Sequence, residues 1–287
     1  MELRHPITFA GGSHDRSGLR RRDEAWLAEA RAAASTRVLH VRPPSQLLVA
    51  EGSCLACLEA PEGAELTFLG VDAVGSAIFA CEYADESPDL TFEELRALAA
   101  TVPGTEAAIA AHAVAMVCWH RRHRFCSACG GPTNVQEAGH SRRCPNCGLQ
   151  HFPRTDPAVI MLVTDGERAV LGRRPGAGAR WSVLAGFVEP GETLEQAVAR
   201  EVQEEVGLRV IHARYLASQP WPFPANLMLG FEARAEYGPI VLDDELEEAR
   251  WFTRGELRDA LGERRMDVPA SISIASHLIQ AWLAEGD

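Results

Sequence analysis

The sequence predicts an α+β protein in three parts: an N-terminal α+β domain over residues 1–122, a small four-cysteine module over 123–152, and a C-terminal domain of strands and helices over 153–287. Three observations predict it. Short strand-like runs alternate with helical stretches in the first part. Two closely spaced C-x2-C knuckles sit in the second. In the third, apolar strand-like runs lead into a helix with capping signals at both ends.

In the first part, Val38–Val41, Leu47–Val49, Leu55–Leu58, Leu66–Leu69 and Ala77–Cys81 read as short strands. Asp23–Ala34, Phe92–Ala100 and Glu106–His120 read as helices. No chemistry-bearing motif stands out in it, and no internal repeat is visible along the chain. The pair Cys54-Leu-Ala-Cys57 lies in an apolar run with no second pair to complete a site. These two cysteines, like Cys81 and Cys118, read as small buried hydrophobes.

In the second part, Cys126-Ser-Ala-Cys129-Gly and Cys144-Pro-Asn-Cys147-Gly present four thiols, enough for one tetrahedral Zn²⁺. A glycine after each knuckle lets the backbone turn so that amides approach the sulfurs. With four sulfurs and no open position, the zinc is expected to be structural. A disulfide pair is the competing reading, and a reducing compartment favours metal.

In the third part, Val159–Thr164 and Arg168–Gly172 read as strands, Gly176–Ala179 as a flexible loop, and Trp181–Leu184 leads into the stretch Gly186–Leu208. Thr193 and Gln196 form a capping box that starts a helix at Leu194, and Gly207 suits the left-handed position past its end. At about 100° per residue, Leu194, Val198, Val202 and Val206 form an apolar stripe. Glu201, Glu204 and Glu205 form a contiguous acidic edge beside it. Like charges three and four residues apart destabilise a helix, and an oxygen-liking divalent cation such as Mg²⁺ or Mn²⁺ removes that repulsion. Downstream, the prolines of Ser218–Asn226 alternate with Trp221 and Phe223 and exclude a helix or a central strand. Such a stiff loop presents aromatic faces suited to stacking on a base or nicotinamide ring. Leu227–Ala235 reads as a strand, Asp243–Glu248 as an acidic loop and Leu278–Leu283 as a closing helix.

Gly186, Glu192, Arg200, Glu201, Val202, Glu204, Glu205, Gly207 and Leu208 fill every fixed position of G-x5-E-x7-R-E-U-x-E-E-x-G-U, where U is apolar. The stretch thus resembles the box of the Nudix hydrolases. Ser218-Gln-Pro-Trp-Pro-Phe-Pro-Ala-Asn226 resembles the S-Q-P-W-P-F-P-x-S signature of the NADH pyrophosphatase branch, with Asn226 in place of the final serine. A zinc ribbon ahead of the Nudix domain is also a feature of that branch. The resemblance implies a Nudix α/β/α sandwich that hydrolyses the pyrophosphate of NADH or NAD⁺ with Mg²⁺ or Mn²⁺. It implies Glu201, Glu204 and Glu205 as ligands or base, without separating those roles. Arg200 would orient a carboxylate, the Ala185 carbonyl would add a ligand, and so would Glu245 or Glu248, with Glu245 favoured. Gln219, Pro220, Trp221, Pro222, Phe223, Pro224, Ala225 and Asn226 would contact substrate, with Phe152, Phe187 and Ala275 also matching ligand-contacting positions. A homodimer in a bacterial cytoplasm is implied as well.

Composition fits these expectations. At 287 residues with 46% hydrophobic content, the chain can bury two cores. No apolar run reaches the ~18 residues of a membrane span, and the first residues lack a secretory layout. The net charge of -12 argues against general nucleic-acid binding, and no helix pair for sequence-specific DNA reading is present. The absence of lysine excludes a Walker-A site and Schiff-base chemistry. One rival target is the NAD cap on RNA, with Arg121, Arg122, Arg124, Arg142 and Arg143 near the ribbon available for phosphates. Other rivals are a broader hydrolase of nucleoside-diphosphate derivatives and a non-catalytic nucleotide sensor.

Overall fold

The computed structural model describes all residues except 2, 4–5, 51–55, 85–88 and 286–287. It divides into two compact units, one of residues 9–155 with 221–225, the other of residues 1–8, 156–220 and 226–287. Among the described residues, no helix is long and apolar enough to cross a membrane.

In the first unit, helix α1 (Glu24–Ala32) is capped by the Asp23 side chain, which accepts from the Trp26 amide. Strands β1 (Arg37–Arg42), β2 (Gln46–Val49), β3 (Thr67–Val71), β4 (Ala77–Glu82) and β5 (Thr91–Glu94) form one sheet in the order β3-β4-β1-β2-β5. Helices α2 (Leu95–Leu98) and α3 (Gly104–Arg122) follow. Because side chains alternate across a strand, Leu39 and Val41 of β1 pack toward α3, while Val38 packs with Phe68, Phe79 and the α1 residue Leu27. The expected helix over Phe92–Ala100 is corrected: its first three residues belong to β5, because Thr91 and Phe92 pair with Val49 and Leu48 of β2, and only Leu95–Leu98 is helical. The expected strand Leu55–Leu58 falls partly outside the described residues, as does the pair Cys54–Cys57. Of the part described, Ala56–Leu58 forms no strand, though Cys57 makes one bridge to Leu39. The ribbon adds a small sheet of β6 (Asn134–Gln136), β7 (Ser141–Arg143) and β8 (Gln150–His151).

The second unit is a three-layer sandwich. Strands β9 (Asp156–Thr164), β10 (Arg168–Arg173), β11 (Leu184–Phe187), β12 (Val210–Trp221), β13 (Asn226–Ala235) and β14 (Glu248–Thr253) make its sheet, with the path β12-β13-β9-β10-β14. β9 is shared: its end, Val163 and Thr164, pairs with β10, and its start, Ala158 to Met161, pairs with β11. Val159, Met161 and Val163 face helix α4 (Leu194–Val206) on one side. Ile160 and Leu162 face helices α5 (Arg254–Gly262) and α6 (Ile274–Ala284) on the other.

Three elements differ from the sequence reading. β12 runs through Pro220, which a ladder tolerates because β12 is an edge strand. Its alternation is blurred by exposed Ile211 and Tyr215 beside His212 and Arg214. β14 begins at the last acidic residue of the expected loop because Arg173 of β10 lies opposite Glu248. α5 starts at a capping box, Thr253 with Glu256.

The two sheets also share a plan that motif reading misses. β4 runs parallel to β1 as β13 does to β9. β2 is antiparallel to β1 and β5 as β10 is to β9 and β14. A short and then a longer helix close each half, α2 and α3 in one, α5 and α6 in the other. The expectation of no internal repeat is therefore corrected at the level of topology. Among the described residues, no helix or strand lies between the second and third strands of the first half, where the second half carries β11 and α4.

Candidate active site

Helix α4 forms as its sequence requires. Thr193 and Gln196 make a reciprocal capping box, and Gly207 ends the helix at φ 69°. Its apolar stripe of Val198, Val202 and Val206 is fully buried on the sheet, which places Glu201, Glu204 and Glu205 along the border of the core. Arg200 ties this edge to the preceding loop. Its guanidinium holds Glu192 through two bonds of 2.7 and 3.0 Å, and donates to Glu201 and Glu204 at 2.7 and 2.8 Å. It also donates to the Phe187 carbonyl at 2.8 Å. A planar fork with five donors suits this task, and a lysine would not span it. Against Arg200, the Glu192 carboxyl is held below its ordinary range.

The other carboxylates are pushed the opposite way. Burial raises the Glu201 carboxyl above its ordinary value and drives that of Glu205 up to about 8. Glu205 is only 2% exposed, and its Oε2 has no hydrogen-bond partner. A lone buried carboxylate of this kind is costly unless a cation meets it. The charges of Glu201, Glu245 and Asp243 add to the same strain. Glu245 is exposed, 3.8 Å from Arg174. Glu248, the alternative ligand, is held by Arg173 at 3.1 Å, and Glu247 by the same arginine at 3.2 Å. The charges of Glu201 and Glu245 thus both reach Glu205, although among the described residues only the ribbon cysteines bring three or more metal-ligating atoms within 4.8 Å of one another. The carbonyl-bearing residue Ala185 lies on β11, paired with Ile160. Arg174 escaped the sequence reading, whereas Gly186 was legible as a fixed position of the box. Arg174 supplies the positive charge that acts on Glu205. Gly186 admits the Glu201 carboxylate against the backbone, where a Cβ would lie 1.9 Å from the carboxyl carbon.

The proline loop divides between the compact units. Trp221 and Phe223 belong to the first, where their rings meet Phe9 at centroid distances of 6.0 and 6.2 Å. The Arg96 guanidinium lies 4.4 Å from the Phe223 centroid and 5.4 Å from that of Trp221. Pro222, Phe223 and Pro224 line a cavity with Arg96 and Arg122. Gln219 belongs to the second unit and is fully buried. Its amide donates to the carbonyls of Thr8 and Ile272 and accepts from the Ile274 amide at 2.8 Å, fastening the start of α6. The Asn226 Oδ1 is buried without a partner. Ala275, in the first turn of α6, is packed in the core. Phe152 and Phe187 are 58% and 57% exposed, so neither ring is spent on a core.

The four cysteines of the ribbon converge. All four sulfurs lie within 4.8 Å of one another, with Cys126–Cys147 at 3.6 Å and Cys129–Cys144 at 3.5 Å. A tetrahedron with Zn–S of about 2.3 Å has edges of roughly this length, so the set fits Zn²⁺. Both knuckles close alike, with the Gly130 amide donating to the Cys126 carbonyl and the Gly148 amide to that of Cys144. The amides of Ala128 and Cys129 lower the Cys126 thiol to about 7, and those of Cys147 and Asn146 do the same for Cys144. Despite the Gly131 amide, the neighbouring cysteine sulfurs push the Cys129 thiol the other way, up to about 12.

Comparison with known proteins assigns all three parts. Residues 154–270 match the NUDIX domain, 121–152 the NADH pyrophosphatase zinc ribbon domain, and 22–119 the NADH pyrophosphatase-like rudimentary NUDIX domain. The chain is 42% identical over 268 residues to the NAD-capped RNA hydrolase NudC of Mycobacterium bovis, covering 86% of each. It belongs to the NADH pyrophosphatase family of Nudix hydrolases. NudC of Stutzerimonas stutzeri is 37% identical, over 91% of this chain and 94% of that one. The human NAD-capped RNA hydrolase NUDT12 is 43% identical over 62% of this chain and 42% of its own length.

The family explains the repeated sheet plan of this Nudix hydrolase. Its first half matches a rudimentary NUDIX domain, and the sequence there carries no carboxylate signature to read. The signal that would have found it is the order of strands and helices.

Proposed function

We propose that the chain hydrolyses the pyrophosphate bond of NADH or NAD⁺ to NMN(H) and AMP, and releases NAD caps from RNA 5′ ends by the same reaction. The observation that carries this reading is the buried, unpartnered Oε2 of Glu205 beside Glu201 and Glu245. Relatives named for NAD-capped RNA hydrolysis point to the substrate.

Water attacks one phosphorus, the P–O–P bridge breaks, and each product keeps one phosphate. A divalent Mg²⁺ or Mn²⁺ supplies charge neutralisation of the diphosphate and a more acidic water. Glu201, Glu205 and Glu245, with the Ala185 carbonyl, are the groups to hold it. Glu204, exposed and held at the helix surface by Arg200, is the carboxylate assigned to take the proton of the attacking water. Arg200 fixes the box loop against the helix. The loop Pro220–Asn226, with the exposed rings of Phe152 and Phe187, is assigned to ring recognition, Trp221 and Phe223 by stacking, while the buried Gln219 and Ala275 serve the packing of α6. The four ribbon cysteines hold one structural Zn²⁺ per chain. With domains at 1–122, 123–152 and 153–287, the chemistry belongs to the third, in a cytoplasmic homodimer whose state light scattering would report.

The test is product chromatography after incubation with NADH, with and without Mg²⁺ or Mn²⁺. NMNH and AMP formed only with metal support the reading. NADH intact under every metal, with another nucleoside-diphosphate derivative cleaved, would replace it by a broader hydrolase.

A further inference from the structure

Within the first compact unit, a cavity of about 460 Å³ opens between the end of β4, the end of α3 and the ribbon. Glu82, Arg121, Arg124, Phe125, Pro132 and Arg142 line it. None of them belongs to the carboxylate set or the proline loop. Its size lies within the range of small-ligand sites.

The walls have distinct jobs. Arg142 is the floor: buried, it donates to the hydroxyl and carbonyl of Thr133, and Glu65 meets it at 3.2 Å. It is committed to the fold. Arg121 and Arg124 are different, with side chains 54% and 60% exposed, and both converge on the single carboxylate of Glu82 at 3.7 and 3.0 Å. One carboxylate against two guanidiniums leaves one positive charge over. Exposed pairs of this kind are worth about 0–1 kcal/mol, so an incoming anion displaces them cheaply. Beside them Phe125 is 67% exposed, although its backbone is fixed by a bridge to Pro132 and by the Cys126 knuckle. A rigid backbone carrying a bare aromatic ring next to two available guanidiniums matches the composition of single-strand nucleic-acid sites. Since the whole chain carries -12, a phosphate chain is drawn only to such a local excess of positive charge.

We propose that this cleft binds a nucleotide of single-stranded RNA, its base stacked on Phe125 and its phosphates on Arg121 and Arg124. It would thus hold the body of a transcript whose cap is processed elsewhere in the molecule. The link to caps rests on the function proposed above; the binding itself does not. Of the five arginines near the ribbon, Arg121 and Arg124 are thereby assigned to RNA and Arg142 to the fold.

The experiment measures binding of a 5′-monophosphorylated, uncapped RNA oligomer to the zinc-loaded full chain at several salt concentrations. Wild type is compared with Phe125→Ala and with the double variant Arg121→Ala/Arg124→Ala. Equal zinc content and near-ultraviolet circular dichroism establish that the variants fold. Phe125→Ala should weaken binding about tenfold. The double variant should flatten the salt dependence by about 1.4, at roughly 0.7 per phosphate contact on single strands. NADH hydrolysis should not change, and KM for NAD-capped RNA should rise at constant kcat. Unaltered RNA affinity in both variants, or no RNA binding by wild type, would overturn the proposal. Competition by free AMP as effective as the oligomer would also overturn it, by making the cleft a mononucleotide site. Loss of the proposed NADH chemistry would show separately, as an inactive wild type that still binds RNA.

Discussion

The carboxylate of Glu201 rests directly on the backbone of Gly186, so closely that any side chain at residue 186 would occupy its place. Gly186→Ala should therefore displace the carboxylate. The displaced group is the end of a flexible side chain, so stability should hardly change. A misplacement of about 1 Å costs on the order of 100-fold in rate, and turnover should fall by at least that much. Parallel measurement of kcat and Tm checks it; an active variant would show that Glu201 is not needed where it lies.

Glu205→Gln tests whether the buried charge awaits a cation. Without metal and above pH 8, where the Glu205 carboxyl is ionised, the variant removes a desolvated carboxylate with an unpaired oxygen, so its Tm should equal or exceed that of wild type. Added Mn²⁺ should raise the Tm of wild type, since a ligand that binds only the folded state stabilises it. It should leave the variant unmoved. A smaller Tm for metal-free Glu205→Gln would refute this account.

The first unit should weaken in mild acid. Burial, with the Arg16 charge adding to it, pushes His112 down to about 2. Burial likewise pushes His120 and His140 down to about 4. In the unfolded chain these rings titrate near 6.5. Their folded pKa is depressed, so the unfolded state binds more protons below pH 6.5. Stability is complete above that value and falls as pH drops from 6.5 toward 4. Urea midpoints at pH 7 and pH 5 measure it, and His112→Gln should reduce the difference between them.

Removal of zinc should unfold the ribbon. Cys144 is fully buried and makes the 3.5 Å sulfur contact with Cys129. Cys144→Ser should lose the metal and lower the Tm, and one zinc per wild-type chain should be released by a thiol-blocking reagent. A stoichiometry near zero with unchanged Tm would leave the cysteines as thiols.

Local signals were legible in the sequence wherever a single residue does a single job. Thr193 with Gln196, Gly207, and the four knuckle cysteines each reached the place their chemistry demands. β12 and β14 were not legible, because an edge strand wants only partial alternation and β14 depends on Arg173 across the ladder. The segment Phe92–Ala100 misled because Thr91 and Phe92 gain more by pairing with β2 than by continuing a helix.

By itself, the sequence determined the family, the helix that bears Glu201, Glu204 and Glu205, and the zinc ligands, since each depends on spacing along one short stretch. Only the tertiary structure decided the rest. It buries Glu205 without a partner, commits Glu248 to Arg173 while leaving Glu245 exposed, fastens α6 through Gln219, and repeats a sheet plan in a half that carries no box. Those outcomes depend on which distant backbone and charge come within a few ångströms, and spacing along the chain does not encode them.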